Sequence, residues 1–227
     1  MKSRQRIRNF SLFQLQMLNK ELYQVQNDRG CFDPPVMASR MHAHATQILK
    51  AVRKVRLDKI SYQVCMAFSW AEALANRFHL NLEDEVWNRF PGVCPYCNQP
   101  QCRCGQKRPS KRKPVVVDPR LRPSSCHGYQ HMFARIYPQT LPEAASHLAE
   151  EVGEVDDAIQ NYIGLHRKDL YNHIVLELVD VVTTVFAVAT NTNLDLATEM
   201  ERWFGKGCPG CRRASCDCKP SDRARQY

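Results

Sequence analysis

AFSWAEALANRFHLNLEDEVWNRFPGVCPYC, residues 67–97, aligns without gaps on VVTTVFAVATNTNLDLATEMERWFGKGCPGC, residues 181–211. Leu80, Leu82, Glu85 and Phe90 meet Leu194, Leu196, Glu199 and Phe204. Each stretch runs into the same cysteine pattern, C-x2-C-x4-C-x-C. The first copy is Cys94, Cys97, Cys102 and Cys104; the second is Cys208, Cys211, Cys216 and Cys218. Farther upstream, PVMAS at 35–39 matches PEAAS at 142–146. Such self-similarity has to be read before a fold is assigned. An offset of 114 in a chain of 227 residues is half the chain, which describes one duplicated unit and not a solenoid.

Four cysteines within eleven residues form the ligand set of one tetrahedral Zn²⁺. A closed four-thiolate site keeps no open coordination position, so its expected role is structural. The basic start, MKSRQRIRNFSLFQLQ, lacks the apolar core of a secretory signal. A cytoplasmic chain with reduced thiols follows as the expectation, which favours metal over disulfides. Cys31, Cys65 and Cys126 are left over and read as free thiols without a role.

The repeats predict four segments: a first unit over 1–104, a linker over 105–125, a second unit over 126–219 and a tail over 220–227. The linker is spaced by Pro109, Pro114, Pro119 and Pro123. It concentrates Lys107, Arg108, Lys111, Arg112, Lys113, Arg120 and Arg122 against Asp118 alone. Much of the formal charge of +9 therefore sits in this linker. Eight zinc thiolates and two Zn²⁺ would bring the total down to about +5.

Only 9 glycines argue against a turn-heavy β protein, and the pattern is helical throughout. With 44% apolar and 24% charged residues the chain is neither disordered nor a membrane protein. No run approaches the ~20 apolar residues of a bilayer span. Ser11 with Gln14 forms a capping box for a first helix that turns Leu12, Leu15, Leu18, Leu22 and Val25 inward, with Asp28, Arg29 and Gly30 ending it. Pro34 and Pro35 open a second helix to about residue 56, a third covers about 58–78, and Asn81 caps a short fourth. The second half repeats the plan near 127–137, 142–162 and 169–190, with a loop at GLHRKD and a short helix after Asp195.

Two of these helices carry acids in an apolar setting. HLAEEVGEVDDAI places Glu151 and Glu154 three apart on one face, and IVLELVDVV does the same with Glu177 and Asp180. Carboxylates in so apolar a helix are costly to bury unpaired. A divalent cation between the helices removes that cost, and an all-oxygen ligand set suits Mg²⁺ or Mn²⁺ over zinc.

The doubled glutamate of EEVGE (150–154), followed by ELVD (177–180), an alanine- and valine-rich helix and NLDL, resembles the MazG-like, all-α nucleoside triphosphate pyrophosphohydrolases. The family pattern is E-E-x-x-E followed by E-x-x-D, and FPGVCPYC (90–97) is similar to the cysteine tail of some members. The resemblance covers most of both halves. It implies two tandem helical-bundle units forming a pseudo-dimer in one chain, each ending in a zinc knuckle. It also implies hydrolysis of a nucleoside triphosphate to monophosphate and pyrophosphate, with Glu151, Glu154, Glu177 and Asp180 holding Mg²⁺ and Glu150 or a ligand acting on the water. Further homo-oligomerisation is compatible with it.

In the first half, His44, Gln47, Gln63 and Met66 stand where those four acids stand, so this half is expected to be catalytically dead. His42 and His44 read as ordinary polar or core residues ahead of a softer metal site. Arg40, Trp70 and Arg77 are candidates for a base pocket supplied by this half, and Phe133, Tyr137, Tyr162 and Tyr171 for stacking on a base. Family members often carry a lysine or asparagine on the last helix, and here only Arg202 and Lys206 lie nearby. The competing reading is a nucleotide- or nucleic-acid-binding regulatory module using the basic linker and knuckles. A linker with so few aromatics makes it a weak nucleic-acid binder.

Overall fold

The computed structural model describes residues 7–105, 109 and 111–218, and these form eight α-helices with no strand. The tail and the linker's Lys107 and Arg108 lie outside the described residues, as does the Cys31 side chain. The helices are α1 (Leu12–Gln26), α2 (Pro34–Arg53), α3 (Ile60–Arg77), α4 (Leu82–Arg89), α5 (Cys126–Ile136), α6 (Leu141–Leu165), α7 (Lys168–Asn191) and α8 (Leu196–Phe204).

Local chemistry sets most starts. The Ser11 hydroxyl accepts from the Gln14 amide, and Gln14 Oε1 accepts from the Ser11 amide at 2.9 Å. Asn81 and Asp195 cap α4 and α8 by accepting from the Asp84 and Thr198 amides. Three expectations need correction. The chain does not leave helix at 28–30: α1 passes into one wide π turn, Asn27–Cys31. Arg77 stabilises that bend by donating to the carbonyls of Asn27 and Phe32 at 2.5 and 3.2 Å, so it serves packing here. The loop expected at 164–169 shrinks to His166 and Arg167, with His166 ending α6 at a left-handed φ of 50°. Val25 is 45% exposed instead of turned inward.

The long helices α2, α3, α6 and α7 form a central bundle, with α2 on α3, α6 on α7, α2 on α6 and α3 on α7. One apolar core runs through both halves, from Leu12 to Phe204. By length and composition α7 is apolar enough to cross a membrane, with mean hydropathy 1.7, contrary to the expectation that no run is. The average hides Glu177 and Asp180, and most of the helix is buried against α6, α3 and α5.

Residues 114 apart make the same bonds. Gln16 Nε2 donates to the Leu80 carbonyl at 2.7 Å, and its Oε1 accepts from the Leu82 amide at 3.0 Å. Gln130 makes the matching pair with Leu194 and Leu196, at 2.7 and 3.0 Å. Both glutamines are buried, so each clamp satisfies backbone groups that water does not reach.

Other contacts are exchanged between the halves. Helix α4 packs on α7 of the second half, and α8 packs on α3 of the first. The Cys102 amide donates to the Ile136 carbonyl at 2.8 Å, and the Cys216 amide to the Leu22 carbonyl at 2.7 Å. Phe90 meets Tyr137 edge-on, and Phe204 meets Tyr23 in the same way. Such reciprocity, in which i meets j and the copy of j meets the copy of i, is the rule at a two-fold interface. Each cysteine knuckle is thereby docked on the first helix of the opposite half.

Candidate metal centres and the carboxylate cluster

The two cysteine groups assemble as their spacing predicts. In each, all four sulfurs lie within 4.8 Å of one another. Cys94 and Cys104 are 3.8 Å apart, as are Cys208 and Cys218. Zn–S bonds of ~2.3 Å in a tetrahedron give edges of ~3.8 Å, so the donor set and its size fit Zn²⁺. None of the described cysteines is in a disulfide.

Local hydrogen bonds prepare one thiolate in each knuckle. Burial opposes ionisation of Cys94, but bonds from Tyr137 and the Cys97 and Tyr96 amides bring it down to about 6. Cys208 falls to about 4 through Cys216, the Cys211 and Gly210 amides and Tyr23. Tyr137 and Tyr23 belong to the opposite halves, which ties metal-site electrostatics to the exchanged packing. Cys65 and Cys126 are buried, and burial raises both thiols well above the usual value.

The acids come from α6 and α7. Oxygens of Glu151, Glu177 and Asp180 gather within 4.8 Å of one another. Glu154 is exposed at the rim, hydrogen-bonded to Glu177 and repelling Glu151. Glu150 is also exposed, and the structure does not bring it into the group of meeting oxygens. His173, one turn before Glu177, lies 2.9 Å from its Oε1.

Burial first, then repulsion from Asp180, Glu154 and Glu177, pushes the Glu151 carboxyl up to about 8. Glu177 rises to about 7, mainly by burial and then by Asp180 and Glu154. Glu151 Oε2 is buried with no hydrogen-bond partner. Full ionisation of such a set is costly, and a hard divalent cation is a group that would lower that cost.

One internal cation already reaches the cluster. Arg89, at the end of α4, ion-pairs with Asp180 through Nη2, and its side chain is only 7% exposed. Arg89 also lowers the carboxyls of Glu151 and Glu177, although the upward pushes win. Sequence reasoning missed it. The gapless alignment sets Arg89 against Trp203, a charge against a large aromatic, and that mismatch was the available signal.

The corresponding place in the first half is neutral. His44 is fully buried and hydrogen-bonded to Gln63 at 2.7 Å, and its pKa is lowered chiefly by burial. His42 and Gln47 are exposed. Trp203 packs beside this place, its Nε1 donating to Ser61 at 3.1 Å and its ring 4.8 Å from Tyr62.

The remaining candidates have other partners. Phe133 packs between Phe90 and Phe186, and Tyr162 and Tyr171 pack with Phe78. Arg202 pairs with Glu199 at 3.3 Å. Trp70 is buried against Phe32, and Arg40 lies near His44. The linker returns across the first knuckle, with the Lys113 amide on the Pro95 carbonyl at 2.9 Å and Arg112 over Tyr96.

Compared with family models, curated proteins and solved structures, the chain matches none.

Proposed function

We propose that the chain is a Mg²⁺-dependent nucleoside triphosphate pyrophosphohydrolase of the MazG-like type, a pseudo-dimer with one working site in its second half. The observation that carries this reading is the meeting of Glu151, Glu177 and Asp180 between α6 and α7, with Glu154 at the rim. The residues follow the E-E-x-x-E and E-x-x-D pattern named above, and their joint ionisation is costly without a divalent cation. The neutral His44–Gln63 pair supports a first half without turnover.

In the proposed reaction, water attacks the α-phosphorus in line, the bond to the bridging oxygen of the β-phosphate breaks, and pyrophosphate leaves. The water's proton is released, giving monophosphate, pyrophosphate and H⁺. Mg²⁺ or Mn²⁺, held by Glu151, Glu154, Glu177 and Asp180, would neutralise the polyphosphate. The knuckles would each hold one structural Zn²⁺, in a reducing cytoplasmic setting.

The test is incubation with Mg²⁺ and a panel of canonical, deoxy and modified triphosphates, followed by assay of monophosphate and pyrophosphate. Glu177→Gln and Asp180→Asn are expected to abolish release while leaving the fold intact by circular dichroism. Parent-like turnover in both variants would remove the acids from the reaction.

A further inference from the structure

We infer that Arg89, carried by the half without acids, is the polyphosphate-binding residue of the other half's site. This inference rests on the proposed function and deepens it by naming a substrate-contacting residue outside the acidic motifs.

Arg89 makes one ion pair, to Asp180, through Nη2. Its Nε and Nη1 are buried and have no hydrogen-bond partner. A guanidinium has five donors in a planar fork, and leaving two nitrogens dry and unpaired is costly. Packing alone does not ask for it, because an apolar side chain would fill the same space without that cost. An oxyanion beside Asp180 would satisfy both nitrogens once the Arg89 side chain turned toward it. Phosphate oxygens fit an arginine fork better than they fit a lysine ammonium.

The position of α4 gives the arrangement its logic. Helix α4 leaves its own half and packs on α7, the helix that carries Glu177 and Asp180. By the same exchange α8 packs on α3 and brings Trp203 beside the neutral place of the first half. Residues 89 and 203 are thus the same position in the two copies, each placed beside the other copy's site. Where the acids remain, the position is an arginine. Where His44 and Gln63 replaced them, it is an indole packed on Ser61 and Tyr62. A degenerate half retained only as packing would not need a buried, half-paired arginine over the surviving acids.

The charge balance agrees. A cation on the acids leaves little net charge, and an incoming polyphosphate adds several negative charges. The guanidinium supplies a positive charge at these acids, ion-paired with Asp180.

Binding of inorganic tripolyphosphate in Mg²⁺ buffer tests this by calorimetry, with Mn²⁺ binding followed separately by spin resonance. Arg89→Met is expected to weaken tripolyphosphate by about 100-fold, the loss of two charge-assisted hydrogen bonds. Mn²⁺ binding should be unchanged or tighter, since a competing cation has gone. Arg89→Lys keeps the charge but not the fork and should lose about tenfold. It also decides the matter if the methionine variant does not fold. Parent-like tripolyphosphate affinity in either folded variant overturns the inference. So does loss of Mn²⁺ together with tripolyphosphate, for Arg89 would then only hold the acids in place. A parent that does not bind tripolyphosphate overturns it as well. Arg89-dependent binding with no pyrophosphate release from any triphosphate sinks the proposed reaction and leaves the anion site standing.

Discussion

Glu151→Gln is expected to stabilise the Mg²⁺-free protein while removing its cation site. The folded carboxyl is pushed up to about 8 from an ordinary 4.5, by burial first and by its acidic neighbours second. Between those values the folded state holds a proton that the unfolded state has released. Stability therefore falls as pH rises through that window, the reverse of a salt-bridged carboxylate. Each pK unit is worth ~1.4 kcal/mol, so the full shift would correspond to about 5 kcal/mol. Partial exposure and charge shared with Asp180 and Glu177 reduce this to about 2 kcal/mol. In a chain of this size that is about 4–8 °C in Tm. The gain should appear at pH 8.5 and nearly vanish at pH 5. Thermal melts in resin-treated buffer suit the purpose, because a chelator would also strip the cysteine sites. Adding Mn²⁺ should raise the parent's melting point at pH 8.5 and leave the variant's unchanged. A variant that melts with the parent or below it at pH 8.5 would show that the acids are not frustrated, and the argument for a cation site would go with it.

The zinc sites make two further predictions. Metal analysis should report about two zinc ions per chain, and a chelator should lower the melting point steeply, since structural zinc binding is also folding energy. Because each knuckle docks on the other half, Cys208→Ser should speed amide exchange in α1, through the lost Cys216–Leu22 bond. Cys94→Ser should do so in α5, through Cys102–Ile136. Exchange that rises only within the mutated half would refute the exchanged packing.

Much of this architecture was legible because local chemistry decided it. The cysteine spacing closes a site within eleven residues, and acids three apart on a helix share a face whatever surrounds them. The caps at Ser11, Asn81 and Asp195 are likewise two- or three-residue devices. What the sequence did not disclose depends on which copy a residue meets. Hydrophobic periodicity tells which face of α4 is buried, but in a duplicated chain either half offers a suitable face. Glu150 fails to join the cluster because it sits one helical position away from Glu151, on the solvent side.

Glu72 shows the same limit from the core. It aligns with Phe186, a ring stacked on Phe133, and pattern alone would leave an acid on a solvated face. Instead it is fully buried with neither oxygen partnered, and burial raises its carboxyl well above the usual range. A lone buried acid of this kind stays neutral, so it costs the fold without adding charge. Arg89 is the opposite case. It aligns with an aromatic and is nearly as hidden, but it is paired, because Asp180 faces it across the halves. The difference lies in the partner, and the partner is chosen by the exchange of α4 and α8. Divergence of two once-equivalent positions, 89 and 203, thus reads as a division of labour between the halves: one arm supplies charge to the acids, and the other supplies an aromatic ring to the half that lacks them.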